Sequence, residues 1–202
     1  VFDAVRELMT QQGMQVSMEA VAARAGCSKQ TLYSRYGSKQ ALLGQVLDRH
    51  VARATTALRA PQGDDLRGSL CRFAEDYLDH FNQPQVVQAC RMMSADAARF
   101  PEQARYLYDN GTGTLTLHLA EHLSRAAADG KLAHDDPHFM AELLISMIAG
   151  QDVDRQRFHA AHRQDAHARH RWAAFAVDAF LRAFPPASPS LSHSNQHRSF
   201  SS

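Results

Sequence analysis

Between Arg24 and Lys39 the sequence places four cations, Arg24, Lys29, Arg35 and Lys39, with no Asp or Glu among them. The chain as a whole carries a formal net charge of only +1, so this is local clustering of the kind that faces phosphates. Interleaved with the cations are Ser28, Gln30, Thr31, Tyr33 and Ser34, short or flexible polar groups suited to base edges and backbone oxygens. Gln30 has the geometry to pair with adenine and Lys29 the reach for guanine O6 and N7, while Tyr33 and Lys39 suit phosphate contacts. Ser17, which opens the segment before, completes the expected DNA-binding set.

Two other groups of residues could do different chemistry. His118, Glu121 and His122 spell HxxEH, in which two histidines one helical turn apart share a metal while the carboxylate acts as a base. The set lacks an identifiable third protein ligand and alternates with Leu115, Leu119 and Leu123, as on an ordinary amphipathic helix. His159, His162, His167 and His170 form a second cluster, readable as a regulatory metal site or as a solvated basic segment. A metal-dependent enzyme or sensor built on these histidines is therefore the rival to a DNA-binding reading. No metal, cofactor or catalytic residue is expected under the leading one. Cys27, Cys71 and Cys90 are widely spaced, without a CxxC pair, and fit a reducing cytoplasm; Cys27 reads as a small buried hydrophobe.

The elements that must position the DNA-facing residues follow from helical periodicity. Val1/Phe2, Val5, Leu8 and Met9 predict a helix ending at Gly13; Met18–Arg24 and Lys29–Tyr36 predict two short helices joined by Ala25-Gly26-Cys27-Ser28. Glycine permits the turn and serine caps the next helix, which together predict a helix-turn-helix. A long helix is expected from Lys39 to about Arg59, then a linker at Ala60-Pro61-Gln62-Gly63-Asp64. Further helices are expected over Leu66–Phe81, Gln85–Arg99 and Thr114–Asp129, with a turn at Asn110-Gly111 before the last of these. Two more cover Pro137–Ala149 and Trp172–Phe184. No segment alternates as a strand would, and no apolar run is long enough to span a bilayer. The Ser/Pro-rich tail reads as disordered, and the start at VFDAVREL, without Met, suggests that helix one has lost residues.

The stretch VAARAGCSKQTLYSRYGSKQALL resembles the head of TetR-type (tetracycline-repressor-like) one-component regulators. It matches their pattern at Ala22, Ala25, Gly26, Ser28, Thr31, Leu32, Tyr33, Tyr36, Ser38, Lys39 and Leu42. Cys27 stands where valine is usual, and Gln30 and Arg35 occupy positions that vary with operator preference. RMMSADAARFPEQARYLYDNG and AADGKLAHDDP are similar to the C-terminal domain of the AefR/AcrR-like branch. The resemblance implies an all-α homodimeric repressor in the cytoplasm, with a three-helix DNA-binding head and a larger helical ligand-binding and dimerisation body. Such a protein holds a palindromic double-stranded DNA operator and releases it to a small effector.

The expected divisions are a head at 1–45, a body at 46–184 and a tail at 185–202. Phe73, Tyr77, Met92, Met93, Tyr106, Leu107, His118, His122 and Phe139 are candidates to line a pocket for a largely apolar effector, or else plain core. Leu143, Leu144, Met147, Trp172, Phe175, Ala176, Ala179 and Phe180 are candidates for the dimer interface, or else finish the monomer core.

Overall fold

The structure, a computed structural model, describes residues 1–59, 65–160, 163 and 165–186, with residue 157 described by its backbone alone. The expected 60–64 linker, His162 and nearly all of the expected tail lie outside the described residues. Among the described residues there is no strand, and no helix is long and apolar enough to cross a membrane.

The head is α1 (Phe2–Gln12), a short 3-10 turn (Gly13–Gln15), α2 (Met18–Ala25) and α3 (Lys29–Tyr36). Val5, Leu8, Val16, Met18, Val21, Leu32 and Tyr36 bury themselves together and against Leu42, Leu43 and Val46 of α4 (Lys39–Ala54). Half-buried Cys27 packs against this cluster. Hydroxyl caps set the helix starts: Ser17 Oγ accepts from Ala20 N, Ser28 Oγ from Thr31 N and Ser38 Oγ from Ala41 N, at 3.0–3.1 Å. Between α2 and α3, Gly26 takes the left-handed conformation (φ 66°, ψ 34°) that ends a helix sharply.

Lower down α4, Val51 and Ala54 belong to a second cluster, so this one helix joins two cores. The single helix expected to Arg59 is instead interrupted at Thr55, whose buried hydroxyl donates to the Val51 carbonyl at 2.8 Å, and resumes as α5 (Thr56–Arg59). The body continues with α6 (Leu66–Phe81), α7 (Pro84–Asp96), α8 (Pro101–Tyr108), α9 (Thr114–Ala128), α10 (Pro137–Ala149), α11 (Asp152–Arg157) and α12 (Ala166–Ala183). Its core is Leu70, Phe73 and Leu78 of α6 with Leu119 and Leu123 of α9, Leu144 and Ile148 of α10, and Val177 and Phe180 of α12.

No turn forms at Asn110-Gly111. The backbone stays right-handed helical through a π turn (Asp109–Gly113) that joins α8 to α9 without a break. Side chains replace the bonds that the wider winding displaces: Asn110 Nδ2 donates to the Tyr106 carbonyl at 2.8 Å and Thr114 Oγ1 to that of Asp109 at 3.0 Å. Gly111 then lies against α4, where a Cβ would sit 3.6 Å from Leu47 Cδ2.

Candidate nucleic-acid interface and internal cavity

Only Leu32 and Tyr36 of α3 are buried, which leaves Lys29, Gln30, Thr31, Tyr33, Ser34 and Arg35 on one exposed polar surface. Periodicity explains this: the two apolar residues, four apart, dock the helix on the head and every other side chain points away. Ser17 and Ser28 are engaged as caps, and the Ser28 and Thr31 hydroxyls are also 2.8 Å apart.

The cations are less free than their spacing implied. Arg24 turns toward α1, where it meets Glu7 Oε2 at 2.7 Å and Gln11 Oε1 at 3.2 Å. Lys29 pairs with Glu19 of α2 and stands 5.7 Å from the centre of the Tyr33 ring. That pairing holds the Glu19 carboxyl below its ordinary pKa and the Lys29 ammonium above its own. Lys39 is half-buried and donates from Nζ to the Met14 carbonyl at 2.9 Å, tying the start of α4 to the turn after α1. Burial lowers the pKa of this ammonium. The acidic partners lie outside the window from Arg24 to Lys39, and packing of α1 and α2 brings them in.

Behind the head, α1, α4, α6, α7 and the α8–α9 junction line a partly open cavity of about 220 Å³. Of the nine sequence candidates, Tyr77, Met93 and Leu107 line it. The other six do not. Phe73 is fully buried in the body core, and Met92 lies beside Gly13 of the head. Tyr106 donates its hydroxyl to the Gln40 carbonyl at 3.1 Å, and His118 Nδ1 lies 3.5 Å from Arg59 Nη2. Phe139 is 70% exposed on the outer side of α10. His122, fully buried, has Nδ1 3.0 Å from the Leu58 carbonyl and Nε2 3.2 Å from Ser69 Oγ, and its pKa is lowered by burial. Its neighbours make it a hydrogen-bonded core histidine that ties α9 to α5 and α6.

Most of the rest of the lining was missed. Arg6, Met9 and Thr10 come from the head; Val46, Leu47, His50 and Val51 from α4; His80 from α6; Val86, Ala89 and Cys90 from α7; and Thr112 and Leu115 from the π turn and α9. In α7 the sequence shows the apolar residues at helical spacing but not what they face; in the structure none is fully buried, because that face borders a space instead of a packed core.

The described metal-site residues do not converge. Glu121 is exposed while His122 is internal, His170 pairs with Glu75 of α6 at 2.6 Å, and His159 is exposed. His167 is exposed on the first turn of α12. Among the described residues no three His, Cys, Asp or Glu side chains come together to hold a metal ion.

The candidate interface residues of α10 and α12 divide between two faces. Leu144, Ala176 and Phe180 are core, at 0–2% exposure, because they lie on the sides of α10 and α12 that meet α6 and α9. Trp172 is half-buried, its Nε1 donating to the Ile148 carbonyl at 2.7 Å under the guanidinium of Arg163. Met147 and Ala179 are also half-buried. Leu143 (43% exposed) and Phe175 (60%) face outward with Phe139.

Residues 1–46 match the family model of bacterial regulatory proteins, tetR family, and residues 68–186 match that of the AefR-like transcriptional repressor C-terminal domain. Among solved structures, a putative TetR-family transcriptional regulator from Mesorhizobium loti has a TM-score of 0.71 at 24% identity, covering 91% of this chain and 94% of the other. The flavonoid-responsive regulator FrrA has a TM-score of 0.71 at 28% identity, with 93% and 96% covered. A TetR transcriptional regulator from Agrobacterium tumefaciens has 0.70 at 22%, with 92% of each chain covered. No curated protein sequence matches the chain.

Proposed function

Because the chain belongs to the tetR family of bacterial regulatory proteins and carries the AefR-like repressor C-terminal domain, we propose that this DNA-binding regulator inserts α3 into the major groove of a palindromic operator as a homodimer. The observation that carries this is the exposed polar surface of α3, held by three hydroxyl-capped helix starts around a small closed core. Gln30, Thr31 and Ser34 meet base edges; Lys29, whose reach also suits guanine, joins Tyr33, Lys39 and the capped turns at Ser17 and Ser28 on the backbone. The unit that does this is 1–45, and 46–184 senses and dimerises. The work is binding, and it takes place in the cytoplasm, where the DNA is.

A small, largely apolar effector occupies the cavity behind the head. Sulfur and aromatic groups such as Met9, Met93, Tyr77 and Phe81 suit an aromatic ring system, and one similar regulator is named for its response to flavonoids. Since α1 and α4 both supply walls, a ligand that favours one arrangement of the body biases the spacing of the two heads. Dimerisation uses the outward face of α10 and α12, with Phe139, Leu143 and Phe175 at its centre.

Selection of random duplexes by the full chain tests the reading. Enrichment of a two-fold symmetric site is expected. In Gln30→Ala one base position of each half-site should lose its preference, while Lys39→Ala should weaken all duplexes and reduce the salt slope by about one. Enrichment without symmetry, or unchanged selection by both variants, would remove the assignment.

A further inference from the structure

The apolar cavity shares one wall with a second, polar cavity of about 440 Å³, and Arg6, His50 and His80 stand in that wall. Each comes from a different element: Arg6 from α1 of the head, His50 from α4 and His80 from α6 of the body. The two imidazole rings lie 4.9 Å apart, tilted by 48°. Among the described residues, Arg6 is the one formally charged side chain lining the apolar cavity, and no carboxylate lines it. The acidic residues Asp3, Asp76 and Asp79 all border the polar cavity instead. Asp3 pairs with Arg6 from that side, and Asp79 is held by Arg169 at 2.5 Å.

We propose that the cavity takes an amphipathic organic anion, whose apolar ring system lies against α7 and α9 and whose acidic group is held by Arg6, His50 and His80. This rests on the reading of the cavity as the effector site and adds the chemical class. A cation entering the same space would meet Arg6 with no carboxylate on the apolar side of the shared wall, and a wholly apolar molecule would leave that side of Arg6 and of both imidazoles without a polar partner. An acid group satisfies both. Asp3 occupies part of a guanidinium that has five N–H donors, so Arg6 retains capacity to bind a second oxyanion.

Desolvation, reinforced by Arg6 and by Arg53 of α4 and, for His80, first by His50, keeps both histidines neutral near pH 7, His80 with a pKa of about 4. Asp76 and Asp79, on the same helix as His80, and Asp3 of α1 are the acidic groups on that side. The positive potential that opposes imidazole protonation is the one an entering anion would lower. Because the three ligating residues belong to head, connecting helix and body, the acid group would tie them at one point. The ring system alone would not.

Calorimetric titration of the full-length protein at pH 7.5 with 2-naphthoate, 2-naphthamide and 2-naphthylmethylammonium separates the possibilities. Naphthoate should bind at least about tenfold more tightly than naphthamide, equivalent to about 1.4 kcal/mol, and the ammonium compound more weakly than either. Arg6→Gln should remove the preference for the anion while leaving the naphthamide affinity within about twofold; Arg6→Lys should retain most of it. Ala89→Trp, which fills the α7 side of the cavity, should abolish binding of both, with an unchanged circular dichroism spectrum as the check on folding.

Equal binding of naphthoate and naphthamide, both lost in Ala89→Trp, would overturn the anion class and leave the cavity as a ligand site. Naphthoate binding that survives Ala89→Trp would place the acid elsewhere and overturn the cavity assignment. Failure of all three compounds to bind the wild-type protein would overturn both.

Discussion

At the scale of single residues, the proposed DNA-facing surface is one on which protein carboxylates and DNA phosphates would compete for the same cations. Glu19 holds Lys29 in the free protein, and both side chains remain more than half exposed, so DNA phosphate can displace the carboxylate. Glu19→Gln is therefore expected to tighten binding to any duplex a few-fold at 50 mM salt, with the gain fading by 300 mM; gel shift or fluorescence anisotropy would show it. A second residue-scale effect concerns pH. The pKa of His80 falls from 6.5 to about 4 on folding through desolvation, His50, Arg53 and Arg6, with Asp76 and Asp79 the nearby acids on its own helix. The depressed value means that the folded state resists protonation, so stability is complete above pH 6.5 and is lost as pH falls toward 4. Allowing for its partial exposure, about 1 kcal/mol should disappear between pH 7.5 and 5 relative to His80→Gln, as measured by urea unfolding of both proteins. The identities of these residues were plain from the sequence, but their partners were not. Lys29 and Glu19 are brought together by a helix-turn-helix, whereas His50 and His80 meet only because α4 and α6 pack across the chain.

Elements were legible where one residue type forces one backbone geometry. Gly26 and Gly13 end helices, Ser17, Ser28 and Ser38 begin them, and Pro84, Pro101 and Pro137 stand at first helical turns, so α1, α3 and α6 fall where periodicity puts them. The Asn-Gly pair at 110–111 misled because a turn and a π turn both accept these residues, and the contact of Gly111 with Leu47 of α4 is one that no local pattern announces. Likewise, nothing local marked Thr55 as a break, since a buried hydroxyl bonding back to Val51 depends on the surrounding core. The two glycines make opposite predictions. Gly111 has room for a methyl group at ordinary contact distance and a helical backbone, so Gly111→Ala should raise the unfolding free energy by roughly 0.5–1 kcal/mol. Gly26 also has open space, but its φ of +66° strains any L side chain, so Gly26→Ala should lower stability by about 1 kcal/mol. Thermal unfolding of the two variants beside the wild type checks both signs.

For the molecule as a whole, the question left by periodicity is what an apolar face is covered by. Mean spacing places Phe175 and Phe180 on similar footing, yet Phe180 is fully buried and Phe175 is 60% exposed, because α12 presents one side to α6 and α10 and the other outward. A stripe read from sequence records that a residue seeks burial, not whether the partner is the same chain or a second copy. The two residues can be separated by what their loss does. Phe180→Ala should cost about 3–5 kcal/mol of stability through the cavity it leaves in the body core, and should lower DNA binding only in proportion to unfolding. Phe175→Glu removes one internal contact, with the Trp172 ring 5.7 Å away, and leaves the body core intact, so the monomer should keep its helical spectrum and remain folded. In the proposed two-fold interface a charge at this position would meet its own copy, which would make dimerisation unfavourable from both sides. Operator binding then falls by at least about a hundredfold, since two heads no longer share one association step. Sedimentation equilibrium of Phe175→Glu beside a gel shift on the selected operator reads both quantities; a dimer that still binds normally would move the interface away from α10 and α12.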